Sequence, residues 1–128
     1  MTDDTHPAHI LVIDDDWINR ELMQTVLKRA GYTVQTCSTG ERGLQTVAET
    51  PPDMVIVDLR LGDMNGLEVV ERIRAMPGRR LPIVVMSALE GDQVRKEALE
   101  AGSDLFISKV FAVSDLIGQL GDLLLSAT

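Results

Sequence analysis

The chain has 128 residues, 45% of them apolar and 25% charged, with a net charge of −8. This length and composition predict one globular domain with its own core and exclude extensive disorder. The excess of 20 acidic over 12 basic side chains argues against a nucleic-acid-binding surface. The start of the chain lacks the apolar segment of a signal peptide, and no run approaches the roughly 20 residues of a membrane span, so we expect a cytoplasmic protein.

Five short apolar runs, rich in β-branched residues, predict strands of a buried sheet. Each run is bounded by Asp, Pro, Gly or Ser, which is typical of strands covered on both faces. The predicted strands are Ile10–Ile13, Thr33–Cys37, Met54–Val57, Ile83–Met86 and Leu105–Ile107. The single cysteine, Cys37, excludes an internal disulfide and is expected to be a buried thiol.

Five segments with helical spacing of apolar residues alternate with these strands. The marking positions are Ile18, Leu22 and Val26; Leu44, Val47 and Ala48; Leu67, Val70 and Ile73; Val94, Ala98 and Ala101; and Val113, Leu116, Ile117, Leu120 and Leu124. Gly or Pro follows the first four segments, where helices usually stop. Two glycines inside the fifth segment, Gly118 and Gly121, are expected to weaken it.

Strict β-α alternation predicts an α/β fold with a parallel sheet and helices on both faces. Five strands favour the flavodoxin-like (βα)5 arrangement, with strand order 2-1-3-4-5. We expect one domain over residues 9–126, preceded by a flexible extension at residues 1–8.

Polar side chains follow four of the predicted strands, at the edge where open parallel sheets place their sites. The residues are Asp14, Asp15 and Asp16 after strand 1, Asp58 after strand 3, Ser87 after strand 4, and Ser108 and Lys109 after strand 5. Clustered carboxylates repel one another and invite a cation, and oxygen-only ligands suit Mg²⁺. With a lysine and a hydroxyl nearby, this set favours phosphoryl chemistry. The alternative without a functional site is that Asp14–Asp16 only cap a helix and that Asp58, Ser87 and Lys109 are ordinary loop residues.

Four stretches together resemble the receiver domains of two-component response regulators. They are ILVIDDD at Ile10–Asp16, VIVDLRLGDMNGLEV at Val55–Val69, IVVMSA at Ile83–Ala88 and AGSDLFISKVF at Ala101–Phe111. The similarity runs from about His9 to Leu125, which is nearly the whole chain.

This resemblance implies a role for each matching residue. Asp58 would accept the phosphoryl group, and Mg²⁺ would be held by Asp14, Asp15, Asp58 and the backbone carbonyl of Arg60. Lys109 would pair with the phosphoryl oxygens, and the Ser87 hydroxyl would donate a hydrogen bond to the phosphoryl group. Phe106 would occupy the position of the family's aromatic switch residue. The donor would be a histidine kinase or phosphotransfer protein. The face formed by helix 4, strand 5 and helix 5 would act on an output partner of unstated identity, and this face could also form a homodimer.

The sequence departs from the family pattern in the loops that surround the site. Val110 replaces the usual proline after the lysine, so we expect a trans Lys109–Val110 bond and an altered loop. Gly62 replaces another common proline, which predicts a looser loop after strand 3. Asp16 is expected to cap the first helix, and Trp17 to pack in the loop near the metal site.

Three functions are compatible with these residues. The first is a phosphorylatable switch, which assists its own phosphorylation and dephosphorylation without being an enzyme. The second is a receiver-like interaction module that works without phosphate, a hypothesis motivated by Val110 and Gly62. The third is a phosphatase of the haloacid-dehalogenase type, suggested by Asp14-x-Asp16 after a strand. The short chain and the absence of a later acidic pair after strand 4 argue against this third function.

Overall fold

The structure, a computed structural model, describes residues 7–89 and 91–127. Five strands alternate with five helices in these ranges. The order is β1 His9–Ile13, α1 Trp17–Arg29, β2 Thr33–Cys37, α2 Gly40–Glu49, β3 Met54–Asp58, α3 Gly66–Ala75, β4 Ile83–Ser87, α4 Asp92–Ala101, β5 Leu105–Ser108 and α5 Val113–Ser126. Most of the extension expected at residues 1–8 lies outside the described residues. No helix in the described ranges combines the length and apolar character that a membrane crossing requires.

The sheet is parallel, with strand order β2-β1-β3-β4-β5, as the alternation predicts. Because side chains alternate along each strand, the sheet divides the core into two layers. One layer packs Leu11, Val57 and Val85 against α2, α3 and α4, and the other packs Ile10, Ile56 and Val84 against α1 and α5. Each fully buried aliphatic side chain of this kind contributes about 1.5–3 kcal/mol.

The edge strand β2 departs from the expected burial on both faces. Its residues alternate between exposed and partly or fully buried positions, and only Cys37, at its end, is fully buried. Its exposed positions, Thr33 and Gln35, are two residues apart and so lie on the same face of the sheet, which is open to solvent at this edge. The prediction of a buried thiol at Cys37 is confirmed.

Helix α1 buries a different stripe from the one its spacing first indicates. Met23 and Leu27 are buried, whereas Ile18 and Leu22 are exposed. Trp17 is 65% exposed at the first position of the helix, so the expectation that it packs in the loop is wrong. Helix α1 is mixed in composition on both candidate faces, and its contact with the sheet selects the Met23–Leu27 stripe.

Arg74, near the carboxyl end of α3, is hydrogen-bonded to residues outside its own helix. The Arg74 guanidinium donates to the carbonyl oxygens of Gly102 and Leu81 at 2.9 and 2.6 Å, and to the carboxylate of Asp104 at 2.9 Å. Asp104 also accepts from Arg80 at 2.8 Å. The Arg74 side chain therefore connects α3 to the segments that precede β4 and β5.

Candidate phosphoryl-transfer site

Three carboxylates converge at the carboxyl ends of β1 and β3. Asp14 and Asp15 follow β1, and Asp58 ends β3, the strand that pairs with β1 at the centre of the sheet. The ligand oxygens of the three side chains all lie within 4.8 Å of one another. Asp14 and Asp58 are buried and Asp15 is exposed, so the group opens to solvent on one side. Three oxygen donors at this spacing fit a hard divalent cation such as Mg²⁺.

Lys109 reaches the same cluster from the end of β5. Its Nζ lies 3.0 Å from Asp58 Oδ2 and 3.3 Å from Asp14 Oδ2. The backbone N–H of Lys109 donates to the carbonyl oxygen of Ser87 at 2.9 Å, which continues the pairing of β5 with β4. The described residues contain no cis peptide bond, so the predicted trans bond between Lys109 and Val110 is confirmed. The sheet, rather than a proline, holds the lysine in place.

Burial and charge together set the protonation of this pair. Burial raises the pKa of the Asp58 carboxyl above its ordinary value; the negative charge of Asp14 adds to this, and the Lys109 hydrogen bond opposes it. Burial alone would lower the pKa of the Lys109 ammonium, but the hydrogen bond to Asp58 and the charge of Asp14 outweigh it and raise that pKa. A cationic lysine therefore faces two carboxylates in a partly desolvated pocket.

Two residues of α1 position Asp14, and sequence reasoning did not find them. Asn19 donates from its amide to Asp14 Oδ2 at 3.3 Å, and Arg20 donates from Nη1 to the Asp14 carbonyl oxygen at 2.8 Å. The backbone N–H of Asp16 donates to Asp14 Oδ1 at 2.9 Å. The sequence indicates Asn19 and Arg20 only as polar residues in the first turn of a helix that begins just after Asp14–Asp16.

Asp16 has the capping role expected of it. Its carboxylate accepts the backbone N–H of Ile18 at 3.0 Å and satisfies one of the free donors at the start of α1. The third acid of the triplet thus orients the helix and is absent from the three-carboxylate cluster.

The loop after β3 is anchored, contrary to the looser loop expected from Gly62. The Asp63 carboxylate accepts the backbone N–H groups of Gly40 and Glu41 at 2.9 and 3.0 Å, so it covers the amino end of α2. Arg60 and Asn65 form an antiparallel bridge across the same loop. The N–H of Arg60 donates to Asp58 Oδ1 at 3.4 Å, which places the Arg60 backbone beside the carboxylate cluster.

Ser87 and Phe106 are both buried, at 2% and 6% exposure. The Ser87 hydroxyl oxygen accepts the backbone N–H of Leu89 at 2.9 Å, so its hydrogen bond points along the loop after β4. Phe106, on β5, packs in the core layer that faces α2, α3 and α4. The structure thus brings Asp14, Asp15, Asp58 and Lys109 into direct proximity, while Ser87 and Phe106 lie on the two strands that follow.

Comparison with known proteins agrees with this arrangement. The sequence profile of the response regulator receiver domain matches residues 10–120. The chain is 35% identical over 122 residues to the response regulator MprA of Mycolicibacterium vanbaalenii, covering 95% of the chain and 52% of the relative. It is 37% identical over 111 residues to the transcriptional regulatory protein KdpE of Mycobacterium tuberculosis, covering 87% of the chain and 48% of that relative. The chain therefore spans about half the length of these relatives.

Solved structures share the fold closely. A putative response regulator from Chloroflexus aurantiacus superposes with a TM-score of 0.89 at 30% identity, covering 94% of the chain and 99% of that structure. A CheY-like receiver domain protein from Methanospirillum hungatei gives a TM-score of 0.87 at 24% identity, with 95% and 97% coverage. The strand order and the helices on both faces are thus those of a known group of domains.

Proposed function

This chain belongs to the response regulator receiver domains of two-component systems, and we propose that it accepts a phosphoryl group on Asp58. The observation that carries the proposal is the contact of Lys109 Nζ with the carboxylates of Asp58 and Asp14. A lysine ammonium beside two carboxylates, at the carboxyl ends of the strands, can stabilise the negative charge on a phosphoryl group during its transfer.

Asp58 acts as the nucleophile in the proposed reaction. One of its oxygens attacks the phosphorus of a phosphohistidine or an acyl phosphate. The bond from phosphorus to the donor breaks, and its electron pair leaves with the donor. The burial that raises the pKa of Asp58 also limits the water that could compete with the carboxylate.

The acids around Asp58 fit a bound Mg²⁺. Asp14, Asp15 and Asp58 would hold the ion together with the backbone carbonyl of Arg60, and the ion would offset charge on the phosphoryl oxygens. Asn19 and Arg20 orient Asp14 for this purpose through their hydrogen bonds to it.

Lys109 and Ser87 bind the phosphoryl oxygens in the modified protein. Lys109 exchanges part of its contact with Asp58 for a contact with a phosphoryl oxygen. Ser87 exchanges its hydrogen bond with the Leu89 N–H for one in which its hydroxyl donates to the phosphoryl group. This movement changes the packing beside Phe106 and alters the face formed by α4, β5 and α5.

The proposed partners follow from this chemistry. A histidine kinase or phosphotransfer protein supplies the phosphoryl group, and an output partner reads the face formed by α4, β5 and α5. Exposed Leu89, Leu99 and Val113 lie on or next to that face and also support a homodimer through it. The protein assists its own phosphorylation and dephosphorylation, but it is not proposed as an enzyme acting on other substrates.

The two alternatives raised by the sequence are not favoured. Val110 motivated a module that signals without phosphate, but Lys109 keeps its contact with Asp58 in this structure. The dehalogenase-type phosphatase finds no support in the profile match, which is to receiver domains over residues 10–120.

The proposal is tested by intact mass spectrometry after incubation with acetyl phosphate and Mg²⁺. We expect one added phosphoryl group on the wild-type chain, and none on Asp58→Asn or when Mg²⁺ is omitted. Asp53→Asn is the matched control, since it removes a carboxylate distant from the cluster and should leave the adduct intact. An adduct that persists in Asp58→Asn would refute the assignment of the acceptor.

A further inference from the structure

A surface arginine lies over the buried aromatic ring of β5. The guanidinium carbon of Arg95, on α4, is 5.4 Å from the centroid of the Phe106 ring. Phe106 is 6% exposed and shares a core layer with Val85 and Ala98. Arg95 itself is exposed. The ring therefore packs with residues of the sheet and α4 and has the Arg95 guanidinium above it.

This geometry is that of a cation–π interaction. A guanidinium within about 6 Å of a ring centroid is attracted to the electron-rich face of the ring. Within residues 7–89 and 91–127, Arg95 makes no ion pair with a carboxylate, so its guanidinium is not drawn away from the ring. A phenylalanine has no hydroxyl to bond with water or a neighbour, so contacts with its ring decide its orientation.

We propose that Arg95 is a positioning residue that holds the Phe106 ring in its buried orientation and so biases the switch before any phosphoryl group arrives. The inference rests on the switching role proposed above for Phe106. Outward movement of the ring breaks the contact with Arg95, which adds to the cost of leaving the core. Through this contact, an exposed charge on α4 influences the position of a buried ring on β5.

The consequence is a shift in a two-state equilibrium. An exposed cation–π contact is weak, so removing it should change the ratio of buried to exposed ring by about two- to fivefold. A partner that binds the Arg95 guanidinium through a carboxylate would remove the contact in the same way. The aliphatic part of Arg95 also covers the ring, and the test has to separate that packing from the charge.

The experiment is fluorine NMR on protein labelled with 4-fluorophenylalanine. The chain contains two phenylalanines, so the spectrum has two resonances. Phe106 reports on the switch, and Phe111, which packs in the opposite core layer beside α5, is an internal control. The solvent isotope shift of each resonance between H₂O and D₂O measures how far its ring is exposed.

Three variants separate charge from packing. Arg95→Met keeps the aliphatic stem without the cation, Arg95→Lys keeps a cation, and Lys96→Gln removes a neighbouring charge on the same helix. We expect Arg95→Met to increase the solvent isotope shift of Phe106, as the exposed population rises two- to fivefold. Arg95→Lys should have a smaller effect, and Lys96→Gln should have none. The Phe111 resonance should not change in any variant.

The proposal is overturned if Arg95→Met leaves the Phe106 resonance as in the wild type, or if Lys96→Gln shifts it equally. These measurements use the unmodified protein, so they decide the role of Arg95 even if Asp58 accepts no phosphoryl group. Failure of Asp58 to accept a phosphoryl group would appear only in the intact mass experiment with acetyl phosphate.

Discussion

Asp63 illustrates how one side chain outside the carboxylate cluster can stabilise the loop beside it. It accepts two N–H groups at the start of α2, while Thr39 accepts a third, from Arg42, at 3.1 Å. The hydrogen bond from Gly40, followed by that from Glu41, lowers the pKa of the Asp63 carboxyl below its ordinary value of 3.8. The loop that carries Arg60 is thus tied to a helix terminus that favours negative charge.

Asp63→Asn should therefore make the protein less stable at neutral pH. We expect the free energy of unfolding to fall by about 0.5 kcal/mol, a modest value because the site is exposed. The folded-state pKa is lowered, so the contribution is present above the unfolded pKa and is lost as pH falls below about 4. Urea unfolding at pH 7 and pH 3 measures this, with Glu71→Gln as a charge-matched control. An equal deficit at both pH values would contradict the prediction.

At the scale of secondary-structure elements, two glycines in helices have opposite roles. A methyl group at Gly118, in the middle of α5, would meet no atom within 4 Å. A methyl group at Gly66, the first residue of α3, would overlap the carbonyl oxygen of Asp58 and lie 2.9 Å from Leu59 Cα. The first glycine thus only costs α5 helix propensity, whereas the second permits α3 to approach the end of β3.

We expect Gly118→Ala to raise the free energy of unfolding by about 0.5–1 kcal/mol, since alanine loses less backbone entropy in a helix. Gly66→Ala should lower it by about 1–3 kcal/mol, because backbone atoms must move to relieve the overlap. Chemical denaturation followed by circular dichroism compares the two variants. Stabilisation by Gly66→Ala would show that α3 and β3 are not packed as closely as described.

At the scale of the whole molecule, a metal ion that binds only the folded chain should raise the melting temperature. At ten times the dissociation constant, Mg²⁺ should add about 1.4 kcal/mol of stability, or roughly 2–6 °C for a domain of this size. Asp15→Asn should reduce this shift, because one of the three clustered carboxylates is lost. Asp115→Asn on α5 is the control. Equal shifts in both variants would argue against a site at the cluster.

The exposed apolar side chains on the proposed output face predict self-association. Leu99 on α4 and Val113 on α5 are 46% and 52% exposed. If phosphorylation favours a dimer through this face, sedimentation velocity with acetyl phosphate and Mg²⁺ should show a dimer. Leu99→Asp should keep the phosphorylated chain monomeric, while Leu22→Asp on α1 should not. A dimer that survives Leu99→Asp would place the interface elsewhere.

Much of the fold could be read from the sequence because periodicity reflects burial locally. The five apolar runs and the helical spacings were enough to predict the strand–helix order, and the acids after strands 1 and 3 were enough to predict that they converge. The α1 face could not be read in this way. Its two candidate stripes are both partly apolar, and the choice between Ile18–Leu22 and Met23–Leu27 depends on contacts with the sheet.

The sequence by itself determined the α/β architecture, the candidate site residues and the helix cap at Asp16. Only the tertiary structure decided which groups on different elements meet: Asn19 and Arg20 of α1 on Asp14, Asp63 on α2, Arg74 on Asp104, and Arg95 over Phe106. The physical reason is that periodicity and capping arise between residues a few positions apart. Contacts between side chains on different elements depend instead on how those elements pack, which periodicity within one element does not encode.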